Sequence, residues 1–549
     1  MSIFMRTLKS FTRREKAVAF ILLLILLISG KQIFTSPGGG GGLSQAKVYT
    51  EGLVGEIKHL NPVFTEFSEA DRDISSLIFS GLARYNGATG VFEEDLATHT
   101  LSEDQLTYTF TLKNDVLWHD GTEMTADDIY FTFVEVIQAP DFGNPILKAN
   151  FDGVKIEQID SRTLTFTLNS KNSFFFSALT VGILPSHILA EVPVAELDID
   201  AFNKLPIGSG PYRVSESYEI LPDSVTSVNL ELFDEYYAAL PNVEKIKFIA
   251  YPSITDLIAN RSTWNSAARI PNFLLSEIDL EDLVTHQYEL PQYTALFFNT
   301  DSEKMSKNKT RLGISKAINK DDILTAIDYK VQIDTPLLEL EQEEWIHTPD
   351  PDEASGALFD AGWPLDEDDE FRKNSDGETL TLKLVRRDFS NTSEPQEITA
   401  DLTARTIQNQ LKEVGVEVVI AVYELEELQT ALLERDYDML LYGQSLGYNL
   451  DIFSYWHSSQ ATEIGLNLSN YQNPKADFNI ESIRESFDAE ERSDLLTNLA
   501  EIISSDIPAI FLYTPSYYYL VDTKLTGVEI ENILLPLDRF SNIEAWTFN

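Results

Sequence analysis

Hydrophobic and polar positions alternate strictly along LTYTFTL. Leu106, Tyr108, Phe110 and Leu112 fall on one side, Thr107, Thr109 and Thr111 on the other. A period of two predicts a strand with one face buried, and LTFTL at Leu164–Leu168 repeats it. After the first strand the period lengthens. Asp120-Gly121 marks a tight turn. Thr125 with Asp128 forms a capping box, and Ile129, Phe133, Val136 and Ile137 then share one face of a helix. The second half alternates helix and strand. Ile398–Val414 predicts a helix, Gly415 a stop, and the apolar run after it a buried strand. ERSDLLTNLAEIISSDIPAIFLYTP repeats helix, break at Pro508 and strand, and DYDMLLYGQ adds another short buried strand. This order predicts an α/β lobe following a strand-rich one.

One apolar run fits neither period. Ala17–Gly30 leads through Lys31, Ile33 and Phe34 to Pro37 and the glycines Gly38–Gly42. Taken through Phe34, with the Lys31 ammonium snorkelling to the interface, a helix here is about 27 Å long, enough for a short membrane span. Arg6, Lys9, Arg13, Arg14 and Lys16 precede it, which predicts a cytoplasmic N-terminus and a body outside the cell membrane. Residues 1–45 are therefore expected to be a basic end, an uncleaved transmembrane anchor and a flexible linker. Ser44-Gln45-Ala46 leaves signal-peptide cleavage as the alternative. The chain has no cysteine, so a lipidated cysteine cannot do the tethering.

The 549 residues exceed what one core ordinarily holds, so two or three lobes are expected. A net charge of −47 repels nucleic acid, which is excluded as a partner. The missing cysteines also remove disulfides, thiol catalysis and thiolate metal sites. The histidines show no His-Glu-x-x-His spacing, and no Gly-x-Ser-x-Gly elbow occurs. Ser306–Lys309 matches Ser-x-x-Lys only within a polar, lysine-rich loop. No enzyme activity, cofactor or metal site is expected.

From about Lys47 onward, HLNPVF (His59–Phe64), EADRDISSLIFSGLARYN, DLATHTLSEDQLTYTFTLKNDVLWHDGTEMTADDIYFTF, ILPSHIL (Ile183–Leu189) and IGSGPYRV (Ile207–Val214) follow one another. VNLELFDEYY (Val228–Tyr237), RLGISKAINKDDIL (Arg311–Leu324) and LFDAGW (Leu358–Trp363) come next. In this order the chain resembles the family 5 extracellular solute-binding proteins, the oligopeptide- and dipeptide-binding proteins of ABC importers. The resemblance implies an α/β, two-lobed, hinged periplasmic-binding-protein-like fold of the type II, large peptide-binding class. One lobe is expected at residues 46–290 plus 510–549, with a subdomain at about 84–205, and the other at 291–509. A monomer is expected to trap peptides or similar solutes between the lobes and deliver them to an ABC permease in the membrane. Alternatives on the same fold are a surface sensor or adhesin, or a binder of non-peptide solutes such as oligosaccharides.

Three segments carry the candidate ligand contacts that the resemblance implies. GEIKHLNP offers Glu56, Lys58, His59 and Leu60, at a strand end that could pair with an extended peptide. LVRRDF places Arg387 where dipeptide binders hold the ligand carboxylate, with Phe389 beside it. GQSLGYNLDIFSYWHSSQ offers Tyr448, Asn449, Asp451, Tyr455 and Trp456. This last segment departs from the family pattern. Gln444 and Gly447 stand where peptide binders carry a tryptophan and the aspartate that pairs the ligand amine, and Asp451 is the possible substitute. The alternative reading makes Leu60, Tyr455 and Trp456 core residues. The GSGPY loop (Gly208–Tyr212) lacks a following Lys-Ser/Thr and is expected to be a turn at the lobe junction.

Overall fold

The computed structural model describes residues 48–549 except 221–225, 341, 391–393 and 464. The expected anchor and linker lie outside the described residues, among which no helix is long and apolar enough to cross a membrane.

Two mixed sheets dominate. The first has seven strands in the order Leu283–Glu289, Ser516–Asp522, Ser266–Pro271, Val48–Val54, Lys245–Tyr251, Thr226–Leu232, Tyr212–Ile220. The second has six, in the order Val331–Gln332, Ala509–Thr514, Gln292–Phe298, Met439–Ser445, Thr381–Arg387, Glu417–Tyr423. A four-stranded sheet of Ala97–Leu101, Thr107–Leu112, Thr163–Thr167 and Lys155–Gln158 falls within the span expected for a subdomain. Its alternating strands bury Tyr108, Phe110, Leu112, Leu164 and Phe166 and leave the threonines outward.

The chain passes from the first sheet to the second at Leu290–Pro291 and returns at Pro515. The return falls later than the boundary expected at residue 510. Every residue of Ala509–Thr514 is buried, and the strand pairs antiparallel with Gln292–Phe298, so it completes the second sheet.

Thr125 and Asp128 form the capping box of the helix Ala126–Tyr130. The helix then widens into a π-helix over Phe131–Ile137. The Thr132 hydroxyl sits at the change of pitch: it donates to the Asp128 carbonyl and accepts the Leu184 amide, competing with the regular ladder. Ile129, Phe133, Val136 and Ile137 are all buried, as their spacing predicts. The helix expected at Ile398–Val414 runs from Glu394 to Glu413, and Gly415 ends it with φ +76°. The strand after it is not buried as expected. Glu417–Tyr423 is the last strand of its sheet, and Val419 and Val422 are exposed.

The GSGPY glycines serve close packing. A Cβ on Gly208 would lie 2.0 Å from the Ile78 carbonyl oxygen and one on Gly210 2.6 Å from that of Leu77. Buried His119 pins this loop: its Nδ1 accepts the Gly208 amide and its Nε2 meets the Gly210 carbonyl at 3.0 Å. Burial lowers the pKa of this imidazole to about 4, so it is neutral.

Candidate functional site

The parallel strands of both sheets end at the connections between them. Val48–Val54 runs parallel to Lys245–Tyr251 and Ser266–Pro271, and Pro271 pairs with Tyr517 beside the return connection. In the second sheet Thr381–Arg387 runs parallel to Glu417–Tyr423 and Met439–Ser445, and Ser445 pairs with Gln292 beside the outgoing one. The carboxyl ends of the two parallel sets therefore face each other's lobe, the place where open α/β sheets bind ligands. Gly55–Leu60 leaves one such end; Arg387–Phe389 and Leu446–Asn449 leave the other.

On the first-lobe side the loop is shaped by Asp71. Its carboxylate accepts the amides of Lys58 at 2.8 Å and His59 at 3.0 Å. Burial raises the Asp71 pKa against these hydrogen bonds. Glu56 and Lys58 are exposed and pair with each other at 2.6 Å. His59 is half-buried. Leu60 packs in the first-lobe core, its amide donating to the Asn203 carbonyl and its own carbonyl accepting from Ser75. Its side chain and backbone are thus already engaged.

Beneath this loop lies a buried charge network. Arg539 donates to Glu51 at 2.7 Å and to Asp73 at 2.7 Å, and Arg269 donates to the same Asp73 oxygen at 2.6 Å. Burial alone would raise the Asp73 pKa, but the two guanidiniums hold it below the ordinary carboxylate value. Arg269 occupies a left-handed conformation, φ +62°, at the irregularity in its strand. Its backbone N–H donates to the Tyr288 hydroxyl there. The network ties the first strand, the helix Glu69–Ile78 and the C-terminal segment together under the site.

On the second-lobe side the two arginines divide. Arg386 is buried, and its terminal nitrogens hold Glu397, at 2.7 and 3.0 Å, and Asp401 at 3.2 Å, while its Nε has no hydrogen-bond partner among the described residues. Arg387 lies on the opposite face of the strand, stacked on Phe389 with its guanidinium carbon 4.8 Å from the ring centre. Its Nε is buried without a hydrogen-bond partner among the described residues.

The third segment is divided between rim and core. Tyr448 reaches the first lobe, where its hydroxyl donates to Asp538. Burial pushes the Asp538 carboxyl up to about 7, against the lowering effect of the Tyr448 hydrogen bond and two backbone amides. Asn449 accepts the Asp451 amide. Asp451 is committed: its carboxylate accepts from Arg484 at 2.7 Å and caps the Phe453 amide at 3.0 Å. A carboxylate so neutralised is a poor partner for a ligand amine. Tyr455 donates to the Ser445 carbonyl. Trp456 is buried in the second-lobe core and donates to Tyr293, which in turn donates to Gln444. Gln444 thus points into a core hydrogen-bond chain.

Asp538, Tyr85 and Phe92, which receive Tyr448, carry no pattern that sequence reasoning could read as a site. Among the described residues no group of three or more His, Cys, Asp or Glu is placed to hold a metal ion. A cavity of about 350 Å³ lined by Gln138, Lys148, Phe151 and Lys155 lies beside the four-stranded sheet, not at the facing ends.

The chain is similar to the oligopeptide-binding protein AppA of Bacillus subtilis strain 168, 25% identical over 94% of this chain and 93% of AppA. Among solved structures it superposes on AppA from B. subtilis in complex with a nonapeptide, with a TM-score of 0.68, 24% identity and coverage of 92% of this chain and 99% of that one. NikZ from Campylobacter jejuni in complex with Ni(L-His) matches with a TM-score of 0.72, 23% identity and coverage of 91% and 99%. These likenesses establish the two-lobed periplasmic-binding-protein-like α/β fold. The model of the bacterial extracellular solute-binding proteins, family 5 middle region, matches residues 91–465, and the chain belongs to that family.

Proposed function

We propose that the chain is the extracytoplasmic, membrane-tethered solute-binding component of an ABC importer. It captures peptides or peptide-like solutes between its lobes and passes them to the permease chemically unchanged. The observation that carries this reading is Arg387. It stands at the first-lobe-facing end of the second sheet with its guanidinium stacked on Phe389 and, unlike that of Arg386, held by no carboxylate among the described residues. A guanidinium without a carboxylate partner among the described residues is suited to a solute carboxylate, which matches its fork with two acceptors. Glu56, Lys58 and His59 supply a polar first-lobe rim through their side chains, the Lys58 and His59 amides being held by Asp71. Asn449 and Tyr455 frame the second-lobe side, while Tyr448, Leu60, Asp451 and Trp456 support these surfaces from within. The nonapeptide-bound relative favours a peptide over an oligosaccharide.

The test is native mass spectrometry of the purified protein, followed by denaturation and identification of what is released. A pool of peptides supports the reading; a single glycan, or measured conversion of a bound compound, overturns it. Tethering is checked by membrane fractionation of the expressed chain: recovery as a soluble exported protein with a new N-terminus near Lys47 rejects the anchor.

A further inference from the structure

We propose that the two lobes are clasped by the protein's own side chains at two points, Tyr448 on Asp538 and Phe174 beneath Arg492, and that these clasps populate a closed form before any solute is bound.

The first clasp begins where the second sheet ends at Ser445. The chain turns at Gly447, φ +58°, and carries Tyr448 across to the first lobe. There the hydroxyl donates to the Asp538 carboxylate, and the ring lies 5.7 Å from Tyr85 and edge-on to Phe92 at 5.4 Å. The receiving carboxylate is already positioned. Asp538 accepts the amides of Leu534 at 2.9 Å and Leu535 at 2.7 Å. The next residue, Arg539, is anchored in the buried charge network. Tyr448 therefore enters a preformed first-lobe socket that is apolar on two sides and acidic at its base.

The second clasp comes from the opposite direction. The connection after Thr163–Thr167 leaves the four-stranded sheet and places Phe174 in the hydrophobic cluster of the second lobe, 7% exposed. The Arg492 guanidinium covers the ring with its carbon 4.2 Å from the centre, and Arg492 is itself held by Glu339 at 3.1 Å. Beside it the Ser173 amide donates to the Arg484 carbonyl at 2.8 Å. Arg484 also holds Asp451, just beyond Tyr448 in the same segment, so the two clasps share one framework.

Each clasp inserts an aromatic ring from one lobe into the other. Parting the lobes exposes Phe174 and removes the hydroxyl donor from Asp538. Because every group belongs to the protein, the contribution to closure is the same for every solute. It raises affinity by lowering the free energy that the solute must supply for closure, and it does not discriminate among solutes.

The absence of cysteine in the chain permits a direct test. Ile199→Cys in the first lobe and Phe359→Cys in the second are 79% and 64% exposed sites for a fluorophore pair. Single-molecule energy transfer is recorded on protein stripped of solute by dialysis. The expected result is a major closed population, from which Tyr448→Phe and Phe174→Leu each move the closed-to-open ratio about tenfold toward open. Thermal melts confirm that each variant is folded. Because no peptide is added, the result stands apart from the success or failure of the peptide reading. An open distribution already in the parent protein, or folded variants with its unchanged closed distribution, overturns the proposal.

Discussion

Two regions of this molecule bury arginines beside the same interlobe space and use them differently. In the first lobe, Arg269 and Arg539 meet on Asp73, and Glu51 completes the network, so that each of these charges has a partner. In the second lobe, Arg386 and Arg387 are neighbours on one strand, and among the described residues only Arg386 is held by carboxylates. Strand geometry produces the split. Successive side chains point to opposite faces, so Arg386 meets Glu397 and Asp401 of the helix Glu394–Glu413 and Arg387 cannot. The lesson is that burial of charge marks architecture when the charges are mutually paired, and that neighbouring strand positions can separate a paired guanidinium from one with no carboxylate partner among the described residues.

The comparison can be broken most forcefully in the first lobe. Arg539→Met leaves Glu51 and Asp73 buried with too little positive charge and is expected to destabilise the protein by about 3–5 kcal/mol. Denaturant unfolding checks this. A loss no larger than that of an exposed substitution would show that the network is not structural.

Acid provides a second, smaller probe of the same lobe. His119 is held neutral by burial, with its pKa lowered to about 4. A depressed folded value contributes stability that is present above the unfolded pKa near 6.5 and lost as pH falls through 4. The expected loss between those limits is about 3 kcal/mol. Unfolding midpoints across this range measure it, and His119→Phe should flatten the profile.

The second-lobe pair gives the sharpest contrast and the smallest effect. Arg387→Met should weaken binding of a carboxylate-bearing peptide at least tenfold, the scale of one charge-assisted hydrogen bond, with little change in Tm. Arg386→Met should do the reverse, lowering Tm while leaving affinity nearly intact in the folded protein. Calorimetric titration and melting on both variants decide whether the two roles are truly divided.

Much of the architecture was legible in the chain. Alternation along Leu106–Leu112, the Thr125–Asp128 capping box and the helix–Gly415 junction depend on interactions within a few residues, and each appears where the pattern places it. The exposed edge position of Glu417–Tyr423 was not legible, because an apolar run looks alike in a central strand and at an edge. Among the candidate contacts, Leu60 and Trp456 settled in cores and Asp451 was taken by Arg484. Sequence distance conceals such pairings.

The amino-acid sequence by itself determined the local elements, the separation into a strand-rich part and an α/β part, and the family. Periodicity, capping and turn chemistry act over short spans, and a long series of such motifs in order is specific. Only the tertiary structure decided which carboxylates hold Arg386, which carboxylate is spent, and that Tyr448 crosses to Asp538. Those outcomes join residues remote in the chain, and the partner that satisfies a buried charge is chosen by three-dimensional proximity.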